Sequence, residues 1–156
     1  MSEGPWVSVA MVRQRFAARI EGLAGFREVP YPFRPGQAPA GFDLYPFSVI
    51  VTRTDATERY RSNDRTGILS RSQVSVVFFA AITPAEGEQD NLLDGVSDAA
   101  QSVIRRIMHR AGTTHHHHIS IGWRDQVIDL GDDDGSFLQV TVRFEVEHPI
   151  DLLTDS

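Results

Sequence analysis

Four consecutive histidines, His115–His118, are the residues of this chain best suited to chemistry. Imidazole binds zinc, nickel or copper, and alternate residues on a strand point to one side. A catalytic metal site needs more, namely ligands converging from several elements and a supporting second shell. Neither a helical His-Glu-x-x-His motif nor a carboxylate at motif spacing accompanies the tract. We therefore read it as a solvated or interface-lining loop. The acidic run Asp129-Leu-Gly-Asp132-Asp133-Asp134-Gly135 invites comparison with a calcium loop. With Gly135 in the glycine position of an EF-hand, the first ligand falls on Leu130 and the last on Thr141, and neither supplies a carboxylate. A solvated turn is the better account. Glu145 and Glu147 share one face of a strand pattern, where alternating exposed charge explains them without acid–base chemistry. There is no Gly-x-Ser-x-Gly elbow. His109 and His148 fall at a helix end and a strand end, positions that suit structural roles. No cofactor or metal is expected, and nothing in the chain calls for an enzyme.

Composition narrows the classes further. The chain has no cysteine, which excludes disulfides, thiolate nucleophiles and iron–sulfur clusters. All fifteen basic residues are arginine, so the phosphate-loop lysine and Schiff-base chemistry are excluded as well. Arginine's fork of donors suits protein interfaces better than lysine's point charge does. A net charge of −6 and a pI near 5.4 leave no basic excess for tight non-specific binding of nucleic acid. No apolar run approaches the roughly 18–20 residues that a membrane helix needs, and the N-terminus lacks the pattern of a signal peptide. We expect a soluble protein made in a cytoplasm. At 156 residues the chain fits one domain, residues 1–156, able to bury about 70% of its unfolded surface.

The elements that would position these groups are legible in the periodicities. Residues 1–7, with Gly4 and Pro5, read as a loose lead-in. Ser8 is a helix cap, and Val9, Val12, Phe16, Ile20 and Leu23 form an apolar stripe that predicts an amphipathic helix from Ser8 to Ala24. Phe26–Val29 is a candidate short strand. A proline-rich passage follows, with Pro30, Pro32, Pro35, Pro39 and Pro46, and reads as an extended surface connector pinned by its aromatics. Asp90 would cap a second helix, with Leu93, Val96, Ala100, Val103, Ile104 and Ile107 as its stripe and Gly112 as its end. Ile119, Ile121 and Trp123 alternate as a strand, and Val127–Leu130 reads as another short one. Leu138, Val140, Val142, Phe144 and Val146 alternate with Gln139, Thr141, Arg143, Glu145 and Glu147, the pattern of a half-buried antiparallel strand. Pro149 is expected to stop that strand, leaving 149–156 as a tail. The result is an α+β fold, a mostly antiparallel sheet with two amphipathic helices packed on one face.

The stretch Phe47–Ile82 stands out within this order. Val49–Thr54 and Ser72–Ile82 are β-rich, with Val77 and Phe79 on one face and Val76, Phe78 and Ala80 on the other. Between them lies a charged middle with little to bury, and Asn63, Asp64 and Gly67 supply its turn chemistry. A hairpin apolar at its root and charged at its tip predicts an arm that projects to hold a neighbour. Its candidate contact residues are Arg53, Asp55, Glu58, Arg59, Tyr60, Arg61, Asn63, Asp64, Arg65 and Arg71.

This element order resembles that of the tail terminator proteins of long-tailed bacteriophages. Three features carry the resemblance over most of the chain: the opening amphipathic helix with its proline-rich connector, the long hairpin, and the second helix leading through GDDDGSFLQVTVRFEVEH to the closing strand. The His115–His118 tract is no part of that pattern. The resemblance implies a virion protein, assembled in the host cytoplasm, that forms a hexameric ring at the head-proximal end of the tail. Such a ring caps the tail-tube protein below, stops its polymerisation and offers a docking face to a head connector or stopper protein above. DNA would pass through its channel without specific binding, and no membrane is involved. The rival readings are another neck or tail component, whether a head-completion or stopper protein or a tail-tube subunit; a metal-binding enzyme using His115–His118; and a soluble adaptor whose hairpin pairs with an unrelated partner.

Overall fold

The computed structural model describes residues 6–29, 45–62, 65–81, 89–109, 120–130 and 137–151. Helix α1 spans Val9–Glu21. The Ser8 hydroxyl accepts the Met11 N–H at 3.2 Å and so satisfies one of the orphan donors of the first turn. Val12, Phe16, Ala17 and Ile20 are its buried face. The helix ends three residues short of the expected Ala24, because Gly22 caps it and Gly25 takes a positive φ of 86° that other residues rarely adopt. A side chain at Gly22 would also run into the Arg106 guanidinium of the second helix.

The strands are β1 (Phe26–Glu28), β2 (Tyr45–Ser62), β3 (Arg65–Ala81), β4 (Ser120–Leu130) and β5 (Phe137–Asp151), with helix α2 (Gln89–Met108) between β3 and β4. They form one sheet in the order β1-β2-β3-β5-β4. All neighbours are antiparallel except β1 and β2, which pair in parallel over Tyr45–Phe47. Pro46, read from sequence as connector, is the second residue of β2. It precedes the ladder to β3, which begins at Phe47↔Phe78, so its missing N–H interrupts nothing there.

Both helices lie on the same face. Val74, Val76, Phe78 and Ala80 of β3 meet Val140, Val142, Phe144 and Val146 of β5, and α1 and α2 cover them with Phe16, Ile20, Val96, Val103 and Ile107. Phe16 meets Phe144 edge-on at 5.3 Å, and Phe26, Tyr45 and Phe78 form an aromatic cluster with ring centroids 5.1–5.3 Å apart. The opposite face is apolar too at the root of the hairpin, where Val77 and Phe79 are buried. This is the α+β architecture that the periodicities predict. Among the described side chains of α2, however, Val96 is the first that is buried, and Leu93 one turn earlier is 44% exposed. Asp90 lies inside the first turn of α2 rather than capping it.

Five further expectations are corrected. The charged middle of the hairpin is itself strand, since β2 and β3 run for 18 and 17 residues. Gly67 sits in β3 opposite Tyr60 and Asp151, not in the turn. A side chain there would collide with the Ile150 carbonyl and the Trp6 ring, so glycine serves close packing. Pro149 does not end β5, which continues to Asp151 with Pro149 opposite Leu69. The ladder between β4 and β5 starts at Ser120, opposite Glu147, so among the described residues no strand lies beside Pro149 on the outer side of β5 whose ladder it could break. The Val7 N–H donates to the Pro149 carbonyl there, at 2.8 Å. Residues 6 and 7 are therefore anchored rather than loose, with Val7 buried in the core. Finally, the two short strands expected between Ile119 and Leu130 are one strand, β4, kinked by a bulge between Trp123 and Asp125.

The connector residues 30–44, Gly112, the His115–His118 tract, the acidic turn at 131–135 and residues 152–156 lie outside the described residues.

Candidate interface on the hairpin arm and the charged sheet face

Two threonines set the shape of the arm. Register shifts between Val51 and Arg53 and between Ala56 and Glu58 leave Thr52 and Thr57 as extra residues in β2. Each hydroxyl donates to a carbonyl of β3, Thr52 to Gln73 at 3.4 Å and Thr57 to Leu69 at 2.7 Å. The bulges thus keep side-chain hydrogen bonds where the ladder is disturbed, and they increase the twist of the arm. From Thr52 to Arg59 every side chain of β2 is exposed. The inner strand differs, for Gly67, Ser70 and Ser72 of β3 are buried between β2 and β5. The arm is a three-strand extension, because β5 accompanies β3 as far as Gly67↔Asp151.

On the face away from the helices, cross-strand register assembles a charged belt. Asp55, Arg71 and Glu147 form one row and Arg53, Gln73 and Glu145 the next. Arg71 bridges Glu145 at 3.6 Å and Glu147 at 3.4 Å, Arg53 meets Asp55 at 2.9 Å, and Arg124 meets Glu145 at 3.2 Å. Arg143 grips Asp125 with two bonds of 2.6 Å, a bidentate pairing that holds the Asp125 carboxyl below its usual range. Arg124, like the two threonines, is the extra residue of a bulge. Charges balance in this belt, so as a set of exposed pairs it contributes little to stability. Its consequence is a patterned surface with fixed register. Glu145 and Glu147, weighed from sequence as a carboxylate pair, are both engaged by arginine.

Of the residues expected at the interface, Arg53, Asp55 and Arg71 come together in the belt, and Glu58 and Arg59 are exposed farther along β2. Tyr60, Arg61 and Arg65 occupy ladder positions opposite Gly67, Thr66 and Ser62. Asn63 and Asp64 lie outside the described residues. Sequence reasoning missed Arg124, Asp125 and Arg143 as partners in the belt. Their alternation marks an exposed face, but nothing local reveals which strand is the neighbour.

A second arrangement has the outward form of a catalytic dyad. Ser72 and the His148 Nε2 lie 2.8 Å apart, and the His148 Nδ1 lies 2.8 Å from the Val7 carbonyl. That carbonyl can only accept, so Nδ1 carries the proton. Nε2 then accepts from the Ser72 hydroxyl, whose oxygen accepts in turn from Thr54 at 2.9 Å. A nucleophile, a base and an orienting acceptor would follow the same scheme. Yet Ser72 and His148 are both 0% exposed, and no substrate reaches either. The network is a tie joining β2, β3, β5 and the N-terminal segment. Burial pushes the His148 pKa down, against the smaller opposing effect of its bond to Val7.

Among the described residues, no group of three or more His, Cys, Asp or Glu side chains is placed to hold a metal ion. None of their helices is long and apolar enough to cross a membrane. No protein-family model and no curated protein matches the chain.

Proposed function

We propose that the chain is a ring-forming structural protein of a phage tail, a tail terminator that caps the tail tube, stops its growth and receives the head connector. The observation that carries this reading is the arm, a long, twisted, charge-patterned extension of the sheet. Strand β1 covers β2 only over Tyr45–Phe47, and among the described residues no strand lies against the outer edge of β2 beyond it. An open edge of this length is a template for association. The far edge of the sheet, β4, is a different surface that exposes Trp123 and Val127. Two unlike patches on one subunit are what a closed ring of head-to-tail contacts requires. The balanced charges of the belt suit register and partner choice, and the acidic net charge of −6 suits a channel that DNA traverses without sticking.

The test is the solution mass of the purified protein, combined with electron microscopy of the particles and of mixtures with tail tubes. Closed six-subunit rings, or a monomer that closes into a ring on tube ends, are the expected result. Long tubes formed by the protein alone would assign it as a tube subunit instead. A monomer indifferent to tubes would reject the reading.

A further inference from the structure

The last turns of α1 and α2 enclose an open cleft of about 540 Å³ with Arg19, Arg105, Arg106 and His109 on its walls and Ala18 and Leu23 on its apolar side. Among the described residues no carboxylate lines it, although the chain is acidic overall. Among the described residues, every ion pair lies elsewhere, and none involves Arg19, Arg105 or Arg106.

Helix C-termini present carbonyls and so do not by themselves attract anions. Here the guanidiniums cover those carbonyls. One terminal nitrogen of Arg19 donates to the Arg106 and His109 carbonyls at 3.0 Å each, and the Arg106 Nε donates to the Arg19 carbonyl at 3.0 Å. These bonds hold two like-charged groups side by side without neutralising either. The Arg19 Nε has no acceptor among the described residues, so the two helix ends leave the donors of this guanidinium incompletely satisfied. Desolvation and, to a lesser degree, the charge of Arg106 lower the Arg19 pKa, so an anion between the two would relieve a repulsion already present. Arg105 is exposed and adds a third fork of donors.

We propose that this cleft binds a small phosphorylated molecule, its phosphate held by Arg19, Arg105 and Arg106 and its organic part lying over Ala18 and Leu23. Planar guanidinium forks match phosphate oxygens, and the cleft volume falls in the range of small-ligand pockets. The site lies on the helix side of the sheet and does not depend on the ring reading.

The experiment is calorimetric titration of the full-length protein with inorganic phosphate and with pyrophosphate, against chloride at equal ionic strength. Saturable binding of one anion per chain is expected, with pyrophosphate the tighter ligand. Arg105→Gln should weaken it about tenfold or more while leaving the fold intact by circular dichroism, because the Arg105 side chain is exposed and makes no hydrogen bond or ion pair to the described residues, its backbone carbonyl alone accepting the His109 N–H. Arg71→Gln, on the opposite face, should leave binding unchanged. Absence of saturation in the millimolar range, or equal losses in the two variants, would overturn the proposal. So would a short DNA duplex that competes better per phosphate than pyrophosphate through Arg105, since the ligand would then be a nucleic acid.

Discussion

His148 shows how far one side chain's role depends on its surroundings. Near a strand end and beside a proline, it offers nothing in sequence beyond a structural guess. Folding buries it fully between the Ser72 hydroxyl and the Val7 carbonyl. Its proton must sit on Nδ1, and a second proton on Nε2 would meet the hydroxyl hydrogen of Ser72. The neutral form is therefore favoured, and the folded pKa lies below the ordinary value of 6.5. Because the unfolded chain takes up this proton first, the stabilising contribution is fully present above about pH 6.5 and is lost as the pH falls through the lowered folded value. Denaturant unfolding followed from pH 8 to 5 should show stability declining over this lower range. The slope should flatten in His148→Phe, whatever that variant's absolute stability. An unchanged pH profile in the variant would remove His148 as the cause.

At the scale of elements, the arm differs most from its sequence-level picture. A run such as Arg53–Arg59 has too much charge to read as buried strand, and it is exposed. It is strand nonetheless, because the backbone of β3 supplies a ladder and the hydroxyls of Thr52 and Thr57 repair the two places where register slips. The other half of the arm comes from β5, whose passage beside β3 depends on Gly67. The Ile150 carbonyl and the Trp6 ring occupy the space that a side chain would need. Gly67→Ala should cost about 1–3 kcal/mol through forced separation of β3 from β5 and the N-terminal segment. Chemical denaturation measures this directly. A loss of less than about 0.5 kcal/mol would mean that the packing there yields freely.

For the whole molecule, the consequence is a division of labour between two ends of one sheet. The root carries the core, with helices on one face and Val77 and Phe79 buried on the other, while the arm carries charge that stability does not need. Reversal of Arg59, Arg61 and Arg65 to glutamate should accordingly leave the melting temperature within a few degrees while abolishing ring closure or tube capping. An assembly unaffected by the triple reversal would rule the arm out as the contact. Association by the wild-type protein should also slow as salt is raised, since the screening length shortens from about 10 Å at 0.1 M to about 3 Å at 1 M.

The amino-acid sequence by itself determined the type and most of the core face of each strongly periodic element, but not the strand character of the charged middle of the hairpin or the exposure of Leu93. Apolar side chains recurring every three or four residues fit only a helix with one buried side, and those recurring every second residue fit only a strand. The α1 cap at Ser8, the buried faces of both helices and the alternation of Leu138–Val146 all follow from such local periodicity. Only the tertiary structure decided which strand lies beside which, and with it the charged belt, the buried tie at His148, the anchoring of Val7 and the arginine cleft between the helix ends. Each of these joins residues far apart in the chain, such as Arg71 with Glu147 and Arg19 with Arg106. Periodicity sets the orientation of a side chain about its own element and carries no information about its neighbour across the fold.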